Sequence, residues 1–369
     1  MFRRDDDPLS IMRVDPDWMI SALGSDRGRV EKSLEQMEAA LSAGKSKSSA
    51  NALSEAGRHM SYMVFTPPKK LRDRLVSVHR KLIESNPKGR QPAEKGILPM
   101  LVLLVDESLV PFFEGLFDVK IDRDPFSKLR KGFAAAGLGL LVRLKGSGVA
   151  LDALLRVTTH PNGDAVVAAA RALGMVYGED PYDYGDGDEG SPPDAAPGAV
   201  FDALVRAAGE HSQFLGRFHL RRALLSMGAK IPNDNPGGAY QFKVSIEHLR
   251  GFFVRVMVPS TADLDQVLWV TLDALDWDDD HLHSFYLSGK VHDRATEYPQ
   301  RDDDGRGCGS SMSLGQLGLV PKARFVCLYD FGDHHVFRYS CEKVIPGPAG
   351  SGRATVIETK GPCPEQYEW

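Results

Sequence analysis

Tyr240-Gln-Phe-Lys-Val-Ser-Ile246 alternates apolar and polar side chains, and in Val254-Arg-Val-Met-Val258 the residues Val254, Val256 and Val258 do the same. A period of two puts one set of side chains on one face of a strand, so two strands are predicted here. Just upstream lies Pro232-Asn-Asp-Asn-Pro-Gly-Gly238, a cluster that breaks regular structure. Before that cluster the apolar period is helical. The chain is therefore expected to change architecture near Pro236, from a mainly α-helical N-terminal part to an α+β domain over residues 240–369.

Upstream, Val30, Leu34, Met37 and Leu41 recur at steps of four, three and four, the stripe of an amphipathic helix. Leu71, Leu75, Val78 and Leu82 repeat that spacing and end before Asn86-Pro87. Two shorter helices are predicted at 149–158 and 164–177, joined by His160-Pro161-Asn162-Gly163. They look like one unit of a helical-repeat array, but no fixed period recurs. Residues 1–177 are thus read as a helical domain. Residues 178–198 carry seven acids amid Gly, Pro, Ser and Ala, too little apolar surface to offset ordering, and read as a flexible acidic linker or loop. Residues 199–235 read as a helical pair (Ala199–Gly209 and Gln213–Met227) packed on the N-terminal domain.

Downstream, a helix is predicted from Pro259-Ser260, with Ser260 and Asp263 spaced as a capping box and Leu264, Leu268, Leu272 and Leu275 as its buried stripe. A strand should follow with His283 and Phe285, and Asp302–Gly309 is a polar loop. Arg324–Tyr329 and Val336–Cys341 flank Asp330-Phe-Gly-Asp-His as a hairpin, and Ala354–Thr359 is a final strand. The order describes an α+β domain with a mostly antiparallel sheet.

Composition limits the function classes. The chain has 369 residues and a formal charge of -5. Residues 240–369 hold 13 Lys/Arg against 19 Asp/Glu, a net of -6 that leaves +1 for residues 1–239. The apolar stretch Ile97–Phe117 is interrupted by Asp106, Glu107, Pro111 and Glu114, and Phe133–Leu144 has only twelve residues, too short for about 30 Å of hydrocarbon. No membrane partner is expected. The start Met1-Phe-Arg-Arg-Asp-Asp-Asp-Pro8 does not read as a signal peptide. Cys308, Cys327, Cys341 and Cys363 are separated by 18, 13 and 21 residues without a CxxC pair, so reduced thiols in a cytoplasm are expected.

Two motifs could carry chemistry. In Trp277-Asp-Asp-Asp-His281-Leu-His283-Ser-Phe285, a strand would put His281, His283 and Phe285 on one face. Two imidazoles beside carboxylates can hold a divalent metal or relay a proton. In Tyr329-Asp330-Phe-Gly-Asp333-His-His335, Gly332 is expected to supply a positive φ while Asp330 and Asp333 bond turn amides. The functional alternative joins the motifs across the sheet. His281, His283, Asp330, Asp333 and His335 are then the candidate catalytic residues, with His281, His283, Asp330 and Asp333 as metal ligands. Beyond a divalent metal no cofactor is expected. There is no GK[ST] phosphate loop and no nucleophile elbow.

These motifs resemble the plasmid pRiA4b ORF-three-like family, also met as a passenger protein of mobile elements. Its opening Tyr-x-Leu-x-Val strand is matched by Tyr240–Val244, and its Arg-x-hydrophobic-x-Val-Pro by Arg255–Pro259. Its Gly-Trp-x-x-x-His-Leu-His-x-Phe signature is matched from Asp276-Trp277 to Phe285, with Asp for the glycine. Tyr329–Asp333 matches Tyr-Asp-Phe-Gly-Asp in full, and Gly361-Pro-Cys-Pro364 matches the late Gly-x-Cys-Pro. The family's following Asp-Trp-x-His is replaced by His334-His335-Val336-Phe337, and its acidic glycine-rich tail is shortened. The resemblance implies a compact α/β roll for residues 240–369 and no particular activity.

A separate signal lies upstream. Residues 58–145 hold 17 Lys/Arg against nine Asp/Glu, with Lys69, Lys70, Arg72, Arg74, Arg80 and Lys81 clustered near one helix. Such a surface can contact nucleic-acid phosphates. Three readings follow: a non-enzymatic interaction protein whose acidic module engages a protein partner; a metal-dependent hydrolase or nuclease; or a nucleic-acid binder through residues 58–145.

Overall fold

The computed structural model describes residues 7–13, 27–61, 69–178, 196–299, 312–347 and 352–367. Most of the acidic segment 178–198 lies outside these residues, as does the polar loop Asp302–Gly309 with Cys308. The chain divides into two compact units, Met1–Tyr177 and Gly178–Trp369.

The first unit is helical throughout its described residues: α1 Arg27–Ser42, α2 Lys47–Ser61, α3 Arg72–Ser85, α4 Arg90–Leu103, α5 Val110–Phe117, α6 Ser127–Lys145, α7 Gly148–Val157 and α8 Gly163–Tyr177. The predicted stripes are the buried faces. Val30, Leu34 and Met37 of α1 are buried, as are Leu75, Val78 and Leu82 of α3. Helix α3 closes at Asn86 in the left-handed region, φ 42°, before Pro87 can continue the helix. Helices α2 and α4 approach at glycines: a Cβ on Gly57 would lie 2.2 Å from the Pro92 carbonyl oxygen, and one on Gly96 would lie 2.7 Å from that of Gly57. At the centre of the unit, Arg90 and Arg130 enclose Glu94 and Asp124. The Arg130–Glu94 and Arg90–Asp124 contacts are 2.8 and 2.7 Å, and all four side chains are buried.

The second unit opens with α9 Gly198–Glu210 and α10 Phe214–Ser226. This helical pair was expected on the N-terminal helices; it belongs instead to the sheet unit. Phe214 and Phe218 of α10 join the sheet core, with the Phe218 ring 6.2 Å from that of Tyr298. Arg221 donates to the Gln316 carbonyl at 2.9 Å. The apolar face of α10 is served by the sheet's aromatic residues, which a local period cannot reveal.

Among the described residues seven strands follow: β1 Ala239–Ile246, β2 Phe253–Pro259, β3 His283–Tyr286, β4 Glu297–Pro299, β5 Arg324–Tyr329, β6 His335–Ile345 and β7 Thr355–Lys360. They form one sheet in the order β4-β3-β5-β6-β1-β2-β7, every pair antiparallel. Helix α11, Leu264–Leu275, lies on one face. Tyr240, Phe242, Val244, Val254, Val256, Phe285 and Phe325 meet Leu264, Leu268 and Leu272 in that core. The capping box differs from expectation: Asp263 caps α11 and pairs with Gln266, not Ser260 with Asp263. The domain is α+β as predicted, and the short strand β4 is the element that the sequence did not announce.

Candidate functional site

The register of three strands sets the site. His283 on β3 pairs with Tyr329 on β5, and Tyr329 pairs with His335 on β6. Directly opposed residues share a face, so the three rings stand side by side on the helix-covered face. Tyr329 and Phe337 lie in the core there, while Leu328 and Val336 serve a smaller cluster on the other face.

The turn after β5 collects the acids. Asp330 sits at φ 53° and His334 at φ 62°. The positive φ expected of Gly332 is taken by these two residues, because the Asp330 carboxylate organises the turn. Its Oδ1 accepts the Gly332 amide at 2.9 Å and the Asp333 amide at 3.2 Å, and the His334 amide closes on the Asp330 carbonyl at 2.7 Å. Asp and Asn tolerate the left-handed region because they form such local bonds. Burial raises the Asp330 carboxyl, but the two turn amides and the nearby His281 and His335 outweigh it, so the group titrates below the usual range.

Asp330, Asp333 and His335 come together: one donor atom from each lies within 4.8 Å of the other two. His335 is buried, its ring 4.9 Å from that of Trp277. Burial lowers its pKa despite Asp333 and Asp330, which keeps the imidazole neutral and able to donate a lone pair.

His281 stands beside this cluster. Its Nδ1 is 3.6 Å from Asp330 Oδ2, and its Nε2 is 3.0 Å from the Tyr367 hydroxyl and 3.3 Å from Asp280. It precedes β3, so the shared strand face predicted for His281 and His283 does not form. His283 turns instead to α11, where its Nε2 meets Asp265 Oδ1 at 2.9 Å in a buried pair. The expected four-ligand set of His281, His283, Asp330 and Asp333 is therefore corrected: His283 is engaged elsewhere, and His335 takes its place beside the two carboxylates. Asp265 was missed in the sequence because it reads as an ordinary acid in a helix's first turn.

The C-terminal segment laces over the site. The Trp277 indole donates to the Pro364 carbonyl at 2.8 Å, the Asp278 amide to Gln366 Oε1 at 2.8 Å, and the Cys363 thiol to the Leu275 carbonyl at 3.1 Å. Asp276, where the family signature has glycine, ends α11 at φ 57°. The Tyr329 hydroxyl donates to the Asp278 carbonyl. Around the site Leu282 is 65% exposed, Phe331 49% and Tyr367 60%, and Asp278, Asp279, Asp280 and Asp333 are also exposed.

The basic stretch of the first unit is largely paired. Lys70 lies 3.6 Å from Glu31, Arg72 2.9 Å from Asp73 and 3.1 Å from Asp106, and Arg74 binds Glu38 through two contacts of 2.7 and 2.6 Å. Arg80 and Lys81 are exposed, and the Lys69 side chain lies outside the described residues. Arg90, Arg130 and Lys131, counted in the basic excess, are buried.

Among the described residues no helix is long and apolar enough to cross a membrane. No curated protein matches the chain. A crystal structure of a protein of unknown function from Methanosarcina mazei Go1 is 20% identical, covering 33% of this chain and 68% of that one at a TM-score of 0.29. The motifs and the sheet lead to one family: residues 238–366 match the model described as Plasmid pRiA4b ORF-3-like protein, and the N-terminal part matches none.

Proposed function

We propose that this chain is a non-enzymatic interaction protein of the bacterial cytoplasm, of the kind carried by mobile elements, and that its C-terminal domain engages a protein partner. One observation carries this reading: Leu282, Phe331 and Tyr367 stand exposed among Asp278, Asp279, Asp280 and Asp333 at one end of the sheet. Large exposed apolar side chains are ordinary when scattered, but grouped ones mark contact surfaces. The surrounding acids select the partner by charge. A segment with Lys or Arg flanking an apolar or aromatic residue fits this surface, and an acidic segment is repelled. The net of -6 over residues 240–369 acts in the same direction over longer range.

The test is direct titration of the full chain with two sets of peptides, basic-aromatic and acidic-aromatic, of equal length. Basic peptides should bind, bind more weakly as salt is raised, and lose affinity to Phe331→Ser and Leu282→Ser. Equal binding of both sets, or indifference to both substitutions, overturns the proposal. The nucleic-acid reading of residues 58–145 has less support, since three of the six clustered cations are ion-paired.

A further inference from the structure

We propose that Asp330, Asp333 and His335 form a binding site for a divalent first-row transition-metal ion, with Asp330 and Asp333 giving carboxylate oxygens and His335 an imidazole nitrogen.

Two independent observations carry this. The first is convergence: donor atoms of the three side chains all lie within 4.8 Å of one another, although the residues belong to a turn and the strand that follows it. Two exposed acids alone would mean little. The second observation is the state of His335. The residue is only 8% exposed, and its Nε2 is buried with no hydrogen-bond partner among the described residues. A buried polar atom left without a partner is costly, so it is rarely left so without a reason. A buried imidazole nitrogen without a partner, on a side chain that lies beside two carboxylates, is a group that a metal ion would satisfy.

Asp330 is prepared in a similar manner. Its Oδ1 is held by the turn amides of Gly332 and Asp333, which leaves Oδ2 turned toward His281 Nδ1 at 3.6 Å. One nitrogen with two oxygens suits manganese, iron, cobalt, nickel or zinc better than calcium or magnesium, which prefer oxygen alone. Three protein ligands leave open positions, as in sites that bind a further ligand. His281 stands beside the site and is not needed as a ligand.

Trp277 supplies the readout, because its ring lies 4.9 Å from that of His335. The full chain, stripped with a chelator, is titrated with Co²⁺ or Ni²⁺ while tryptophan emission is followed. Saturable quenching with one ion per chain is expected, reversed by Zn²⁺ and not by equal Ca²⁺. Trp277→Phe should remove most of the quenching while calorimetry still shows binding. Asp333→Asn, at an exposed position, should weaken binding at least about tenfold, by analogy with the losses seen at metal-site positions. Asp202→Asn, at an exposed acid on α9 away from the cluster, should leave metal affinity unchanged. His335→Gln is read only beside an unchanged thermal melt. Absence of saturable binding, equal effects of Asp333→Asn and Asp202→Asn, or full competition by Ca²⁺ would each overturn the assignment. None of these measurements involves a peptide, so they stand apart from the partner proposed above.

Discussion

His283 is bonded to Asp265 across the core, Nε2 to Oδ1 at 2.9 Å, with both side chains buried. The pair ties the start of β3 to the first turn of α11. A histidine that reads as a metal ligand in the sequence therefore acts as a strut between sheet and helix.

Asp265→Ala is expected to lower stability by about 1–3 kcal/mol, since it strands a buried imidazole donor. Metal binding by Asp330, Asp333 and His335 should be unchanged in that variant. Urea unfolding paired with the cobalt titration checks both halves. A lost metal site in a folded variant would show that His283 belongs to it.

Glu94 lies between Arg90 and Arg130, 2.8 Å from each, and all three side chains are buried. Glu94→Gln removes the central charge and leaves both guanidinium groups with Asp124 alone. Breaking a buried ion network in this way costs about 3–5 kcal/mol. Thermal and urea unfolding should show a loss of that order. A change below about 1 kcal/mol, the range of exposed pairs, would mean that water reaches the network.

His79 is buried against Phe112, and burial together with the charges of Arg130 and Arg90 lowers its pKa from 6.5 to about 3. The unfolded chain therefore takes up this proton first as pH falls. The contribution to stability is complete above pH 6.5 and declines as pH is lowered from there toward 3, by about 1.4 kcal/mol per unit. His79→Phe should flatten this part of the stability profile relative to the parent. Identical slopes for the two proteins would show that His79 is not the titrating group.

Gly57 has no room for a methyl group, since its Cβ would lie 2.2 Å from the Pro92 carbonyl oxygen. Gly57→Ala should push α2 from α4 and cost about 1–3 kcal/mol by overpacking, against the usual helix preference for alanine. A raised melting temperature would contradict this close approach.

Cys327 and Cys341 are buried free thiols whose pKa values are pushed up by burial, the latter to about 12. Neither should react with iodoacetamide in the folded chain, while both react in denaturant. Rapid labelling of Cys327 without denaturant would show that the sheet opens between α11 and β5.

The sequence by itself determined the strongly periodic helices and strands and where one architecture replaces the other, while the short strand β4 carried no local signal. Leu71, Leu75, Val78 and Leu82 had to lie along one face, and Tyr240, Phe242 and Val244 along another, because burial is enforced at every turn or pleat of the chain. The hairpin around Asp330 was legible for the same local reason, as was the family resemblance of residues 240–369. Only the tertiary structure decided who meets whom. Asp265 and His283 are 18 residues apart, Arg90 and Asp124 34, and Arg130 and Glu94 36, so no local period records their pairing. The same holds for α10, whose apolar face gives no sign that its cover is a sheet. At the candidate site, antiparallel register aligned His283, Tyr329 and His335, and helix packing then drew His283 toward Asp265. His335 was left with a buried bare nitrogen beside two carboxylates, a combination that register and burial together created.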